Sequence, residues 1–386
     1  MIYLDNAAST PISNYAREAM MEKNLYYNPS GMYDSATFVH DMVEGARKEI
    51  LSMFTDNEDD MMLFTGSGTE ANNIALSAVA ASFPHSHMIA SAIEHASVLN
   101  TLQMLKYKGE INDYTLVPVD ENGFVNPADI DRTVRPDTSL CCIMAANNEI
   151  GTIQPLEKIG LLCHTHNIVF MTDATQAIPQ IGIGGNPYKA VDADLLGLDI
   201  VTFSGHKFHG PMGIGGLYMK RWLEQPFCIM AGGHQEHRMR PGTENPPAII
   251  GMARAMGEIA WAKNTDLRDY LIDSLLAIPG VHLNGSRENR LPYNVNIRLY
   301  GVTGETQVML LNDKYNIAVG TGSACNNGGL NPSHVLKAIG LTDEQANCSI
   351  RISMSDWTTK EEIDEFIEAY INMVNNDIPI FLQENQ

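Results

Sequence analysis

Basic residues and paired cysteines are scarce in this chain of 386 residues. Only 25 lysines and arginines stand against 46 aspartates and glutamates, so the formal net charge is −21. A surface of that sign repels nucleic-acid phosphates and anionic lipid headgroups, which argues against nucleic acid or a membrane as a partner. No CxxC pair occurs among the six scattered cysteines, so neither a zinc knot nor a thioredoxin-like motif is predicted, and the chain fits a reducing compartment.

Long apolar runs and metal-binding patterns are also missing. The longest uncharged run, residues 71–93, is interrupted by asparagine, proline and histidine, which makes it a poor membrane span. The N-terminus has an acid at Asp5 and no apolar stretch, so no signal peptide is predicted and a cytoplasmic location is expected. The twelve histidines form local pairs without metal-site spacing to cysteines or carboxylates, and no metal is predicted.

Apolar, β-rich runs alternate with alanine-rich amphipathic segments between about residues 60 and 220. This alternation predicts an α/β domain whose mostly parallel sheet is covered by helices on both sides. A helix that begins near Pro246 leaves this domain, and three later β-like runs predict a smaller α+β domain. The last helix is expected to begin near Thr358, because Thr358 and Glu361 have the spacing of a capping box.

Different polar groups follow the predicted strands of the first domain. They are Thr69, His95, Asn148, Asp173 with Gln176, and His206 with Lys207. In open α/β sheets, ligands bind beyond the carboxyl ends of the strands. Groups of such varied chemistry at one edge predict a single small-molecule site.

The stretch FTGSGTEANN, residues 64–73, is suited to an anion. Gly66 and Gly68 let backbone N–H groups approach a phosphate, and the start of the following helix adds a positive dipole end. The Thr69 hydroxyl adds a further donor. No lysine follows at Walker A spacing, which excludes a nucleotide P-loop. Taken alone, an ordinary helix N-cap explains the stretch equally well.

Three further side chains fit one cofactor when they are taken together. Asp173 follows an apolar run, where a carboxylate needs a positive partner such as a pyridinium N–H; an N-cap is the alternative. His95 either stacks on a flat cofactor and moves protons or is a core histidine. Lys207 is either a desolvated nucleophile or an exposed lysine at a strand end. A phosphate cradle, a pyridinium-binding aspartate and a buried lysine together predict pyridoxal phosphate.

Cys325 lies in the glycine- and asparagine-rich stretch VGTGSACNNGGLNPS, residues 319–333, between a predicted strand and a predicted helix. The glycines predict a mobile loop, in which a free cysteine is prone to oxidation. Pyridoxal phosphate itself does not need this thiol. A chemical role therefore explains it better than packing does, since its thiolate can attack the sulfur of a cysteine bound to the cofactor.

The chain resembles the cysteine desulfurases, which are pyridoxal phosphate enzymes of the class V aminotransferase group. The matching motifs are YLDNAAST (3–10), NPSG (28–31), FTGSGTEANN (64–73), EHASVL (94–99), NNEIGTIQP (147–155), DATQAIPQ (173–180), FSGHKFHGPMGIGGLY (203–218), RPGTEN (240–245), GSACNNGGLNPSHVL (322–336) and SIRISMS (349–355). The resemblance covers nearly the whole chain and implies fold type I with a seven-stranded sheet. It also implies a large domain at residues 12–250 and a small domain, residues 1–11 and 251–386, that carries the cysteine loop.

The resemblance implies a role for each matching residue. Lys207 would hold the cofactor as a Schiff base, His95 would stack on the ring and move protons, and Cys325 would take the sulfur as a persulfide. Arg351 would bind the substrate carboxylate with its two-pronged donor set. The other implied contacts are Gly68, Thr69, Ser204 and His206 at the phosphate, Asp173 at the pyridinium nitrogen, Gln176 and Asn148 near the phenolic oxygen or the substrate, and Thr243 at the phosphate of the other subunit's cofactor in a homodimer.

The implied reaction converts L-cysteine to L-alanine and passes sulfur from Cys325 to an acceptor such as an iron–sulfur cluster assembly protein. The loop is of the longer GSAC type, and RPGTEN is similar to nitrogenase-associated variants. The chain departs from the family in about eight extra residues between Asp173 and Lys207 and in the lack of an extended C-terminal docking tail. These departures leave the identity of the acceptor open.

Other activities also remain open. A selenocysteine or cysteine-sulfinate lyase works on the same fold without the loop thiol. An aminotransferase needs no loop cysteine and yields keto acids. A catalytically silent sulfur-relay or regulatory protein would keep the fold alone, but the intact set of catalytic residues argues against it.

Overall fold

A computed structural model describes residues 1–178, 182, 184, 189–225, 229–258, 265–321, 332–379 and 381. The strands are β1 (Ile2–Tyr3), β2 (Met61–Thr65), β3 (His87–Ser91), β4 (Asp113–Val117), β5 (Thr138–Cys142), β6 (Val169–Asp173), β7 (Ile200–Ser204), β8 (Gly215–Met219), β9 (Val281–Leu283), β10 (Asn294–Leu299), β11 (Ile317–Ala318) and β12 (Ser349–Ser353). The helices are α1 (Asn14–Met20), α2 (Asp34–Ser52), α3 (Gly68–Ser82), α4 (Ala96–Lys108), α5 (Pro127–Thr133), α6 (Leu156–His166), α7 (Ala193–Leu196), α8 (Pro246–Gly257), α9 (Thr265–Leu276), α10 (Gly304–Tyr315), α11 (His334–Ala338), α12 (Asp343–Asn347) and α13 (Lys360–Asn372). Cys325 and part of the extra stretch between Asp173 and Lys207 lie outside the described residues.

Strands β2 to β8 form a seven-stranded sheet in the order β2-β8-β7-β6-β5-β3-β4. Within it, β8 runs antiparallel to its neighbours β2 and β7, and the other pairings are parallel. All five residues of β2, β3, β6, β7 and β8 are buried. Continuous burial of this kind is typical of strands that are covered on both faces. The predicted α/β class and the mostly parallel seven-stranded sheet are confirmed.

Alternate residues of the strands pack into two different cores. In β2, Met62 and Phe64 join a core with α2, α6 and α8, whereas Met61 and Leu63 join a second core with α3 and α4. This division follows from the two-residue period of a strand. Because helices cover both faces, the strand ends are the part of the sheet that a ligand can reach.

A second, three-stranded antiparallel sheet has the order β12-β10-β9. Its core contains Leu4 together with residues of α9, α10 and α13, and β1 pairs with β11. The first residues of the chain therefore pack with the last third of it. The division into domains at residues 11/12 and 250/251 stays a prediction; α8 extends across the second of these boundaries.

Helix α13 has its N-cap one residue later than the sequence predicts. Thr359 is the cap, and it forms a full capping box with Glu362. The prediction of a box between Thr358 and Glu361 is wrong because Thr358 Oγ1 accepts a 2.9 Å hydrogen bond from the Ser355 backbone N–H. The first threonine thus stabilises the turn before the helix, and the second begins the helix.

Four cysteines of the described part of the chain are free and buried: Cys141, Cys142, Cys163 and Cys348. Burial raises the pKa of the Cys142 thiol well above its usual range, which makes that thiol a poor nucleophile. Within the described residues, no helix is long and apolar enough to cross a membrane. Those residues also bring together no group of three His, Cys, Asp or Glu side chains that is arranged for a metal ion.

The turn before RPGTEN has an unusual backbone. Glu236, His237 and Arg238 all have left-handed conformations, with φ of 43°, 56° and 64°. A non-glycine residue costs about 1–2 kcal/mol in that region. The turn is held because the buried Glu236 carboxylate pairs with the Arg47 guanidinium at 2.7 and 2.8 Å and accepts the Phe64 N–H at 2.9 Å.

Replacing Arg238 by glycine is expected to raise the free energy of unfolding by about 0.5–1 kcal/mol, because glycine adopts positive φ without a Cβ penalty. Arg238 is exposed, and its hydrogen bond to His234 lies at the surface. Chemical denaturation of Arg238→Gly beside Arg238→Ala is the measurement. The alanine variant loses the same side chain and keeps the strain, so equal stabilities of the two variants would contradict this explanation.

Candidate active site

The carboxyl edge of the large sheet borders a cavity of about 370 Å³. That volume is in the range of small-molecule and cofactor pockets. Ten of the twelve predicted site residues line it: Gly68, Thr69, His95, Asn148, Asp173, Gln176, Ser204, His206, Lys207 and Arg351. Thr243 is exposed and is not among the lining residues, and Cys325 lies outside the described residues. The structure therefore gathers side chains from across the sequence at one place.

Lys207 ends the 3₁₀ turn Gly205–Lys207, which directly follows β7. Its Nζ donates to the backbone oxygens of Ala7 at 2.8 Å and Ala8 at 2.7 Å. The Ala7 oxygen also accepts from Gln176 Nε2 at 3.0 Å. Lys207 is thus a half-buried cavity residue, not an exposed lysine at a strand end, and the N-terminal segment holds its amine.

The beginning of α3 is shaped for close approach of an anion. A Cβ on Gly68 would lie 3.3 Å from Thr175 Oγ1 and 3.4 Å from Ser204 Cβ, so a larger residue would crowd this corner. Ser67 caps the helix by accepting the Glu70 N–H at 3.1 Å. The positive end of a 15-residue helix and the nearby hydroxyl donors make this end of the cavity suitable for a phosphate.

His206 lies beside the same corner and lines the cavity. Burial, helped by the charge of Lys207, lowers the pKa of His206 to about 4. Its ring is therefore neutral at physiological pH, and Nδ1 lies 3.2 Å from Ser9 Oγ. A neutral imidazole has one N–H, so His206 can donate a single hydrogen bond to an anion.

Asp173 ends β6 and is only 5% exposed. Its Oδ1 accepts the Thr175 N–H at 3.0 Å, and its Oδ2 accepts from Asn72 Nδ2 at 2.8 Å. Among the described residues, no lysine, arginine or histidine forms an ion pair with it. A buried carboxylate without a cation is costly. A cofactor with a pyridinium N–H would supply the missing positive partner.

Arg351 lies on β12 with 4% of its side chain exposed. Its Nη2 contacts Asp5 Oδ1 at 2.7 Å, and its Nη1 donates to the Asn148 backbone oxygen at 3.1 Å. Nε is buried and has no acceptor within the described residues. The guanidinium therefore keeps a donor for a carboxylate ligand. The motif YLDNAAST contains Asp5, but nothing local to it reveals a partner that lies 346 positions away.

Two further acids are fully buried next to the cavity residues. Burial raises the pKa of Glu94 to about 8 and that of Glu149 to about 7. The Ser333 hydroxyl, which caps α11, donates to the Glu149 carboxylate. His334 Nε2 lies 2.9 Å from the Glu94 backbone oxygen. These contacts attach α11, the helix that follows Cys325 in the sequence, to the wall of the site.

Comparison with known proteins agrees with this geometry. Residues 2–366 match the family model described as aminotransferase class-V. The chain belongs to the class-V aminotransferase family. Pyridoxal phosphate is the cofactor of this family, and the cavity fits it: a lysine amine, a buried carboxylate that forms no ion pair with the described residues, and a helix N-terminus with hydroxyl donors surround one space.

Two curated relatives have the same activity in their names. The chain is 39% identical to a protein named cysteine desulfurase IscS from Methanosarcina thermophila, over 97% of this chain and 92% of that protein. It is also 39% identical to a cysteine desulfurase IscS from Dictyoglomus turgidum, over 95% and 93%. Both matches extend over nearly the whole length of each chain.

Solved structures show the same fold. A NifS-like protein superposes with a TM-score of 0.85 at 31% identity, over 97% of this chain and 99% of that one. A structure titled SspA in complex with cysteine superposes with a TM-score of 0.80 at 30% identity, over 93% and 100%. Fold type I of the pyridoxal phosphate enzymes is thus confirmed.

Replacing Glu149 by glutamine is expected to remove a pH-dependent loss of stability. Since burial raises the carboxyl pKa from 4.5 to about 7, the folded state binds this proton more tightly than the unfolded state. Stability therefore falls as the pH rises from about 4.5 to 7, by up to ~3 kcal/mol from this group. Ser333, Arg351 and His95 are the polar and charged groups that face it.

Urea denaturation at pH 5 and pH 8 measures this loss. The glutamine variant should lose less stability between the two pH values than the wild type does. The exposed Glu365 on α13 offers the control Glu365→Gln, which should behave as the wild type. An unchanged pH dependence in Glu149→Gln would mean that Glu149 is ionised in the folded protein.

Proposed function

We propose that this chain is a cysteine desulfurase, which converts L-cysteine to L-alanine and takes up the sulfur as a persulfide on Cys325. The observation that carries the proposal is that Lys207, the buried carboxylate of Asp173 and the N-terminus of α3 meet around one cavity, with no ion pair to Asp173 from the described residues. The names of the relatives and the cysteine complex of a similar structure support L-cysteine as the substrate.

The cofactor would be held at both ends by residues that line the cavity. Asp173 would accept from the pyridinium nitrogen, and Lys207 would bind the cofactor aldehyde covalently. Gly68, Thr69, Ser204 and His206 would bind its phosphate, and Gln176 and Asn148 would contact the phenolic oxygen or the substrate. When bound, pyridoxal phosphate supplies an electron sink that allows bonds to the substrate Cα and Cβ atoms to break.

The substrate would enter with its carboxylate on Arg351, next to Asn148. Lys207, once the substrate amine has replaced it, would provide the free amine that accepts the proton from Cα. The Cys325 thiolate would attack the substrate sulfur and form an S–S bond while the C–S bond breaks. The electron pair of the C–S bond would pass to the substrate, whose Cβ takes a proton to give alanine, and the sulfur would stay on Cys325 as a persulfide. His95 would move a proton to or from the bound amino acid.

We also propose that two copies of the chain form a homodimer in which Thr243 contacts the phosphate of the other copy's cofactor. Thr243 is exposed and does not line the cavity of its own chain. The segment before it is attached to the start of α3, because Arg240 Nε lies 2.9 Å from Glu70 Oε1.

The sulfur acceptor would be a protein in the cytoplasm, such as an iron–sulfur cluster assembly protein. The name IscS of the relatives supports an acceptor of this kind.

Lys207→Ala is expected to abolish the covalent cofactor link that borohydride reduction traps in the wild type. Among the described residues that line the cavity, Lys207 is the one lysine. An alanine has no amine and cannot form the link. Mass spectrometry of the reduced protein is the measurement, and Lys158→Ala, an exposed lysine on α6, is the control. A trapped link on another lysine would refute the assignment of Lys207.

Cys325→Ala is expected to keep the yellow cofactor and to lose almost all release of alanine and sulfide from L-cysteine in the presence of dithiothreitol. The thiol is needed as the sulfur acceptor and not for cofactor binding. Cys348→Ala, at a buried cysteine, is the matched control. Undiminished activity in Cys325→Ala would favour a lyase acting on selenocysteine or cysteine sulfinate, which does not need the thiol.

A further inference from the structure

A chain of hydrogen bonds joins two of the cavity residues, Asp173 and His95, through Asn72 and Ser97, which also line the cavity. Asn72, a buried residue of α3, donates from Nδ2 to Asp173 Oδ2 at 2.8 Å and to Ser97 Oγ at 2.8 Å. Thr202 Oγ1 donates to Asn72 Oδ1 at 2.6 Å. Ser97 Oγ lies 2.7 Å from His95 Nδ1. The network therefore runs from Asp173 through Asn72 and Ser97 to the ring of His95.

The direction of these hydrogen bonds follows from what each group can do. A carboxylate only accepts, so the Asn72 amide must point its NH₂ group at Asp173. That group also donates to Ser97 Oγ, and the Ser97 hydroxyl can donate its own proton to His95 Nδ1 if Nδ1 is an acceptor. The Ser97 backbone N–H donates to the same Nδ1 at 3.1 Å. His95 Nδ1 thus accepts twice, and a neutral ring carries its proton on Nε2.

We propose that Asn72 is a positioning residue that joins His95 to Asp173 and holds His95 as the neutral tautomer with the proton on Nε2. A second proton on Nδ1 would point at two donors, so the network opposes the imidazolium form. His95 lines the cavity. It therefore enters the reaction as a proton donor from Nε2, and the proton abstraction at Cα is left to Lys207. Only this last step rests on the proposed function.

The same contacts also fix the carboxylate of Asp173. Its two oxygens accept one hydrogen bond each, from the Thr175 N–H and from Asn72. These two donors fix the direction of the carboxylate, whose remaining lone pairs can accept from a pyridinium N–H. Asn72 thus acts on both residues that would contact the cofactor ring. If Asn72 had a purely structural role, any side chain that fills the same space could replace it.

The substitution Asn72→Asp separates these two roles, because it keeps the shape of the side chain and replaces its NH₂ donor by an acceptor. The new carboxylate would face Asp173, and the Ser97 hydroxyl would turn to donate to it. His95 would then keep only the backbone donor on Nδ1. Ser77→Ala, which removes a buried hydroxyl from the same helix outside this network, is the control.

The first measurement is NMR of the full-length protein as purified, carrying isotopically labelled histidine. The His95 resonances among the twelve histidines are identified by their absence in His95→Gln. The wild type and Ser77→Ala should show His95 with the proton on Nε2 at neutral pH, and Asn72→Asp should show a mixture of forms. A wild-type His95 that is protonated on Nδ1 would overturn the proposal, as would identical spectra for Asn72→Asp and Ser77→Ala.

The second measurement is the kinetics of alanine formation. Asn72→Asp should lower kcat by about tenfold or more, with a smaller change in KM, and should alter the pH profile of kcat. Should the aspartate variant fail to fold, Ser97→Ala removes one of the two donors on Nδ1 and should shift the His95 resonances in the same direction. If the His95 resonances of Ser97→Ala equal those of Ser77→Ala, the proposed link from Asn72 through Ser97 to His95 is overturned. The NMR result does not depend on activity, so a failed desulfurase proposal is distinguishable from a failed tautomer proposal.

Discussion

The burial of Asp173 at the end of a central strand is the constraint on which the site depends. A carboxylate in that position costs several kcal/mol unless donors meet it. Two donors do: the Thr175 N–H, just after the strand, and the Asn72 amide, from α3. The second contact fixes α3 against the sheet edge, and the N-terminus of α3 is the end of the cavity that we propose for the phosphate. The hydrogen bonds that stabilise the buried Asp173 carboxylate therefore also position the helix end that would bind an anion.

The N-terminal segment of the chain completes the site from the other side. The carbonyl groups of Ala7 and Ala8 accept from Lys207 Nζ, the Asp5 carboxylate pairs with Arg351, and the Thr10 hydroxyl donates to the His206 carbonyl oxygen. The same segment packs on the C-terminal sheet, since Leu4 lies in its core. Ten residues thus connect the lysine of the large sheet with the arginine of the small one, which explains how groups from the two sheets keep a common geometry.

The sequence predicts the large sheet and its strand-end residues because both leave local signals. Buried strands appear as apolar runs, and Asp173 and Lys207 stand directly after such runs. The roles of Asp5, Asn72 and Glu149 are not predictable in this way, although each stands in a recognised motif, because their partners are distant in sequence. The cap of α13 was mispredicted for a related reason: two overlapping Thr-x-x-Glu patterns compete, and a contact to Ser355, outside either pattern, decides between them.

The acids around the cavity differ in the hydrogen bonds that their carboxyl oxygens accept, and this difference sets the charge of the site. Glu94 receives both of its donors, the Ser91 hydroxyl and the Met144 N–H, on one oxygen. Its other oxygen is buried without a partner among the described residues, which is the arrangement of a carboxyl group that keeps its proton, in agreement with its raised pKa. Asp173 has a donor on each oxygen instead. Glu94 stays neutral below about pH 8 and Glu149 below about pH 7, so these two buried acids add no negative charge next to the cavity in that range, and Arg351 offsets the charge of Asp5. A cavity arranged in this way can accept both a phosphate and a substrate carboxylate, although the protein as a whole carries a net charge of −21.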